Sequence, residues 1–308
     1  MHTLTRRRFS SLVALGGLAV VAGCSNSSPL QSSSPAASGS GSGGTLVVGS
    51  QQYYSNEIIA ELYAQALEKA GYTVSRQYQI GQREVYIPEI EAGKIDVFPE
   101  YSGNLLQYYD KNTTAKDADA IAVALGQKLP PSLRVLTAAA ASDQDSITVT
   151  RTFADAHQLK AIGDLTKAPQ PLTIAANSEF AKRPYGPQGL KATYGVDVTL
   201  VPVEDSGGPL TVKALKDGTV QLADIYTADP AIAREGFVIL DDPLHLILPQ
   251  NVVPLVSKKV DTKAAAAVEA VNAKLTVADL QALNARSVTE QKKSAEIAST
   301  WLKDKGLG

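Results

Sequence analysis

The sequence predicts a two-lobed α/β fold in which each lobe is a mainly parallel sheet flanked by helices. Three observations carry it. Between Thr45 and Phe98, short apolar runs alternate with stretches of helical spacing, the order of a parallel sheet with right-handed crossovers. A second strand and helix series runs from Leu172 to Ile225. Two stretches, Gly93 to Tyr101 and Gly218 to Tyr226, then repeat one pattern: a glycine that stops a helix, a strand starting just after it, and a tyrosine beyond the strand.

The elements follow in order. Thr45-Leu46-Val47-Val48-Gly49 reads as a buried parallel strand. Ser55 or Asn56 is placed to cap the next helix, whose apolar positions Ile58, Ile59, Leu62, Tyr63, Ala66, Leu67 and Ala70 end at Gly71. Thr73 to Ile80 alternates and predicts a strand, and Arg83 to Ala92 a helix made irregular by Pro88. Ile95 to Phe98 predicts the third strand, and Ala115 to Leu129 an Ala-rich helix. Further strands are expected at Ser146 to Thr150, Leu172 to Ala175, Val198 to Val203, Val220 to Ile225 and Val252 to Val256, with a helix at Pro209 to Lys216. The chain ends in helical segments at Ala264 to Leu275, Val277 to Asn284 and Thr289 to Lys303. This order places 45–145 and 251–308 in one lobe and 146–250 in the other, joined by two crossing strands.

The start of the chain predicts export. Arg6, Arg7 and Arg8 precede an apolar run from Leu12 to Ala22, roughly half the length that spans a bilayer. Residues 1–23 therefore read as a signal peptide. Val21-Ala22-Gly23-Cys24 resembles a bacterial lipobox, in which Cys24 carries the lipid; it is the only cysteine among 308 residues, so the body has no intrachain disulfide. Thr5-Arg6-Arg7-Arg8-Phe9 resembles a twin-arginine signal, which leaves twin-arginine and general secretory routes both open. Residues 24–44, nearly all Ser, Gly, Ala and Pro, form a flexible tether. Without the three arginines the 29 Lys and Arg fall to 26 against 31 Asp and Glu. A mildly acidic body argues against nucleic-acid partners and against a polybasic membrane surface. The lipid is the expected membrane attachment, on the extracytoplasmic face.

Catalytic patterns are scarce. His2 falls in the signal, and His157 and His245 have no ligand partners at metal spacing. No Gly-x-Ser-x-Gly elbow, phosphate loop or His-Glu-x-x-His is present. Ser206-Gly207-Gly208 reads either as an anion nest or as a plain loop before a helix. The expectation is no enzyme, no cofactor and no metal. Tyrosine is the informative residue, with twelve against five Phe and one Trp. Its ring face attracts a cation by roughly 0.5–2 kcal/mol, and ligands of open α/β sheets sit beyond the carboxyl ends of strands. Tyr101 and Tyr226 would stand there, one in each lobe.

From Thr45 to Lys303 the chain resembles the substrate-binding proteins of osmoprotectant ABC importers, the glycine betaine, choline and carnitine receptors of type II periplasmic-binding-protein fold. The carrying residues are Gly49-Ser50, Glu61 to Glu68, Phe98-Pro99-Glu100-Tyr101-Ser102-Gly103, the block Glu179 to Pro184 with Gly186 and Gly189-Leu190, and Leu215 to Gly218 leading to Tyr226. The resemblance implies cage tyrosines at Tyr101 and Tyr226, a carboxylate-binding arginine at Arg183, and hydrogen-bonding positions at Asn104 and Gln51. Two further cage tyrosines of the family fall on Ser146 and Gln250, with Asp143 and Asp145 just before the former. Three readings stay open. Asp143 or Asp145 faces the cation; or Tyr53, Tyr54 or Tyr185 enters the vacated space; or a larger polar or aromatic ligand bonds to Gln51, Asn104 and Gln250. The resemblance implies a monomeric, lipid-anchored receptor that binds a small osmolyte (a quaternary ammonium or zwitterion such as glycine betaine), and that serves an ABC permease and its ATPase. An exported enzyme or a sensor on the same scaffold is the competing class.

Overall fold

The computed structural model describes residues 44–308. The expected export signal, Cys24 and all but the last residue of the tether lie outside the described residues. The first series comprises β1 (Thr45–Gly49), α1 (Tyr54–Lys69), β2 (Thr73–Gln77), α2 (Arg83–Glu91), β3 (Val97–Tyr101), α3 (Ser102–Tyr109), α4 (Ala118–Lys128) and β4 (Leu133–Val135). The second comprises β5 (Ile147–Val149), α5 (Arg151–His157), β6 (Leu172–Ala176), α6 (Pro187–Tyr194), β7 (Val198–Pro202), α7 (Pro209–Lys216), β8 (Leu222–Asp224), α8 (Ala231–Glu235) and β9 (Val238–Ile239), with 3₁₀ turns at Ile162–Lys167 and Ser178–Lys182. The chain then returns through β10 (Val252–Ser257) and ends in α9 (Thr262–Asn272), α10 (Val277–Val288) and α11 (Ser294–Asp304).

Two five-stranded sheets result, in the orders β2-β1-β3-β10-β4 and β7-β6-β8-β5-β9. In the first, β1 pairs parallel with β2 and β3, while β10 runs antiparallel to β3 and β4. In the second, β6 pairs parallel with β7 and β8, while β5 runs antiparallel to β8 and β9. Each sheet thus has one reversed strand, supplied by a segment that crosses between the sheets. The crossings lie side by side: Val252 N–H donates to Ala141 O (2.9 Å) and Ser142 Oγ donates to Gln250 O (2.9 Å). This is the two-sheet α/β fold that the sequence predicts.

The central strands are buried on both faces, which is why β1, β3, β6 and β10 are nearly continuous apolar runs, whereas the edge strand β2 is polar and exposed. Along β3, Val97 joins the core under α1 and the three C-terminal helices, whereas Phe98 joins the opposite core with Tyr86, Leu105 and Ile121. Ile174 and Ala175 of β6 divide in the same way.

Several local expectations shift. α1 begins at Tyr54, so Ser55 and Asn56 lie in its first turn and neither caps it. Their side chains bond to Asp143, and to the Gln51 N–H and Pro99 O, instead. β3 starts two residues later than expected and runs through Pro99. The register sets Pro99 opposite Pro254, and Ser102 N–H donating to Asn251 O fixes the alternation. The two prolines therefore meet where antiparallel neighbours exchange no N–H···O bonds, and neither costs a bond between β3 and β10. Pro88 is tolerated inside α2. α4 starts at Ala118 because Asp117 caps it, accepting from Ala120 N–H at 2.9 Å. α11 starts at Ser294, past Gln291 with φ of 53°. The short α3, β4 and β9 had no clear periodicity to announce them.

Candidate functional site

The carboxyl ends of β1, β3 and β8, the loop after β6 and the two crossings border one cleft of about 440 Å³, its mouth included. The first lobe brings Gln51 and Tyr53 after β1, Tyr101 at the end of β3, and Asn104 on α3. The second brings Asn177, Glu179, Arg183 and Tyr185 after β6, and Asp224 and Tyr226 at the end of β8. Asp143, Asp145 and Gln250 come from the crossings. All seven residues that the sequence assigns to the ligand (Gln51, Tyr101, Asn104, Asp145, Arg183, Tyr226 and Gln250) line this cleft. The echo between Gly93 and Gly218 has a local cause. Each follows the last turn of its helix, α2 or α7, with φ of 71°, the left-handed conformation that glycine adopts without strain. The strand that follows then ends at the cleft.

Tyr53 links the two predicted tyrosines. Its ring lies 6.5 Å from Tyr101, near parallel, and 5.1 Å from Tyr226, edge-on. Tyr185 adds a further ring, 5.9 Å from Phe180. Burial, the largest cause, pushes the Tyr53 and Tyr226 phenols well above their usual range, so they stay protonated and neutral. Tyr54 points elsewhere, donating to Asp229 Oδ2 at 2.9 Å. Ser146 is buried and turns its hydroxyl to Ile225 O (2.5 Å), outside the cleft lining.

The charges are unevenly matched. Arg83 forks onto Glu100 (2.8 and 2.9 Å), and Glu100 also accepts from Tyr86 Oη (2.6 Å) and the Tyr101 N–H (2.8 Å). This buried cluster fixes the strand end that carries Tyr101. Arg183 forks onto Glu84 across the lobes at 2.9 and 3.2 Å. Asp143 has only neutral donors, Ser55 Oγ (2.7 Å) and the Ala228 N–H (3.0 Å), and burial pushes its carboxyl up to about 6. Burial, then repulsion from Asp145 and a hydrogen bond donated to it, raise Asp224 well above the carboxylate range. Burial also raises Glu179.

Amides surround Asp145. Asn104 Nδ2 donates to Asp145 Oδ2 (2.7 Å) and Gln250 Oε1 (3.1 Å), and Gln250 Nε2 donates to Asp145 Oδ2 (2.8 Å). Two acceptors thereby fix the Asn104 amide, and its buried Oδ1 has no partner among the described residues. The same is true of Gln51 Nε2, whose residue is only 4% exposed. The Ser206 loop is no anion nest, because its Ser206 and Gly208 N–H groups already donate to Asn177 Oδ1 (3.0 Å) and Asp205 O (3.1 Å). Among the described residues no group of three or more His, Cys, Asp or Glu side chains is placed to hold a metal ion.

Sequence reasoning missed Arg83, Asp224 and Glu179. Asp224 was within reach, since it stands two residues before Tyr226, and strand alternation puts such a pair on one side. Glu179 opens a block noted only for its arginine. Arg83 carried no signal, because its partner Glu100 lies on another element.

Residues 44–304 match the family model described as the substrate-binding domain of an ABC-type glycine betaine transport system. The chain is 27% identical over 293 residues to the glycine betaine-binding protein YehZ of Escherichia coli K12, covering 90% of this chain and 93% of that protein. It is 26% identical over 276 residues to a glycine-betaine-binding protein of Pseudomonas aeruginosa, covering 85% and 88%. Among solved structures, a glycine betaine/carnitine/choline ABC transporter protein superposes with a TM-score of 0.68 at 20% identity, covering 85% of this chain and 99% of that one. That likeness concerns the fold.

Proposed function

The chain belongs to the family of substrate-binding domains of ABC-type glycine betaine transport systems, and on that premise we propose that its interlobe cleft holds a small osmolyte of the glycine betaine and choline type. As a member of that family it is a substrate-binding protein of an ABC transporter and not an enzyme. One observation carries the ligand reading. Tyr101 and Tyr226, one from each sheet, meet through Tyr53 in a cleft bordered by carboxyls. Neutral phenol rings offer their faces to an ammonium that has no N–H to donate. In this reading Arg183 reaches a ligand carboxylate only by sharing its fork with Glu84.

Binding proceeds by hinge closure on the paired crossings. The receptor then docks on a membrane permease driven by its ATPase. It acts as a monomer on the extracytoplasmic face, and a lipid on Cys24 keeps it at high effective concentration there. Calorimetry with glycine betaine and choline tests the site. Tyr101→Ala and Tyr226→Ala are each expected to weaken binding at least about tenfold; Tyr101 is also a core residue, only 2% exposed, so its truncation should lower the unfolding midpoint as well. Unchanged affinity in both would remove the cleft assignment. Cys24→Ala is expected to leave binding intact and to move the protein out of the membrane fraction; continued membrane retention would remove the anchor.

A further inference from the structure

The osmolyte reading leaves the net charge of the ligand open, and the side chains around the cleft bear on it. Both arginines of the cleft are already matched: Arg83 by Glu100 and Arg183 by Glu84. A ligand carboxylate would find no guanidinium without displacing a protein carboxylate. The acids are in the opposite position. Asp143, Asp145, Asp224 and Glu179 all line the cleft, and their partners are hydroxyls, amides and backbone N–H groups rather than cations.

The amides add a second constraint. Asn104 cannot turn its Nδ2 toward the cleft without losing two acceptors, so its unpartnered Oδ1 is held as an acceptor. Gln51, almost wholly buried in the same lining, has an unpartnered Nε2 donor. A buried polar atom left unmatched costs about 1–3 kcal/mol. A ligand hydroxyl can donate to the first or accept from the second. A carboxylate oxygen can only accept, so it offers nothing to Asn104 Oδ1 and adds a carboxyl beside that of Asp145.

We propose that the cleft selects small organic cations that carry a hydroxyl or N–H donor and no carboxylate, in preference to zwitterions. The inference rests on the cleft being the osmolyte site and narrows what enters it. Choline and glycine betaine share a trimethylammonium head and differ at the other end, hydroxymethyl against carboxylate. Ethyltrimethylammonium has the charge without the donor.

Calorimetric titration of the purified protein with these three probes at neutral pH is the test. Choline is expected to bind at least about tenfold tighter than glycine betaine, and ethyltrimethylammonium to be several-fold weaker than choline. Asp145→Asn is expected to shift the choline-to-betaine ratio toward betaine by at least about fivefold. Betaine binding as tightly as choline, or a ratio that Asp145→Asn leaves unchanged, overturns the charge selection while the osmolyte site stands. No binding of any probe overturns both. Should the variant fail to fold, the ratio in the unmodified protein decides alone.

Discussion

Ser55 and Ala228 each give Asp143 one hydrogen bond, yet burial outweighs both and its carboxyl is pushed up to about 6. The folded group holds its proton more tightly than the unfolded one, whose value is near 4. Its contribution to stability is therefore fully present below about pH 4 and is lost as pH rises through about 6, a change on the order of 3 kcal/mol. Urea unfolding of Asp143→Asn across that window is expected to show a flatter pH profile than the unmodified protein; parallel profiles would mean that another group titrates. A cationic ligand acts in the opposite sense, favouring the ionised carboxyl, so its affinity is expected to rise with pH across the same range. Glu100 behaves differently because its charge is matched. Glu100→Gln strands Arg83 in a site where the two side chains are 5% and 0% exposed, and is expected to destabilise the fold by about 3–5 kcal/mol in denaturant titrations. Tyr101 and Tyr226 were legible from the sequence because each follows a glycine and a strand. The Arg83–Glu100 pair was not, since it depends on α2 folding over β3.

Helix α3 shows how an unannounced element positions the site. It starts directly at the end of β3, with no loop between them and no side-chain cap at its N-terminus, so nothing in the local pattern marks a boundary. Its packing against the second crossing explains it. A Cβ on Gly103 would stand 2.6 Å from Pro249 O and 2.7 Å from Leu248 Cβ, closer than atoms approach. Gly103→Ala is therefore expected to push α3 off the crossing and to cost about 1–3 kcal/mol in stability. It should also weaken ligand binding, because Asn104 and Gln250 lose their common geometry. A variant with native affinity in calorimetry would detach α3 from the site. The main strands were legible because they are buried on both faces and written as apolar runs. β4 and β9, of three and two residues, are too short to carry a period and exist through their neighbours β10 and β5. Ser55 and Asn56 have cap chemistry, but here long-range partners outcompete the local role.

Beyond the crossings, side-chain bonds also join the lobes. They include Arg183 with Glu84, Gln52 Nε2 to Ser206 Oγ (3.1 Å), and Tyr54 Oη to Asp229 Oδ2 (2.9 Å). Glu84 is half exposed (54%), so this pair contributes at most about 1 kcal/mol. Glu84→Ala is expected to enlarge the radius of gyration measured by X-ray scattering without ligand, and saturating ligand to restore it; no change in either state would mean that the pair does not latch the lobes. The connectivity has another consequence, for the order in which the molecule assembles. Every strand of the second sheet comes from one unbroken segment, Ile147 to Ile239, whereas the first sheet waits for β10 to enter between β3 and β4. Long loops must close before such a strand is rewarded by its contacts. In refolding followed by pulsed hydrogen exchange, amides of β6 and β8 should gain protection before those of β3 and β10. The second lobe would then act as the template on which the two ends of the chain find each other.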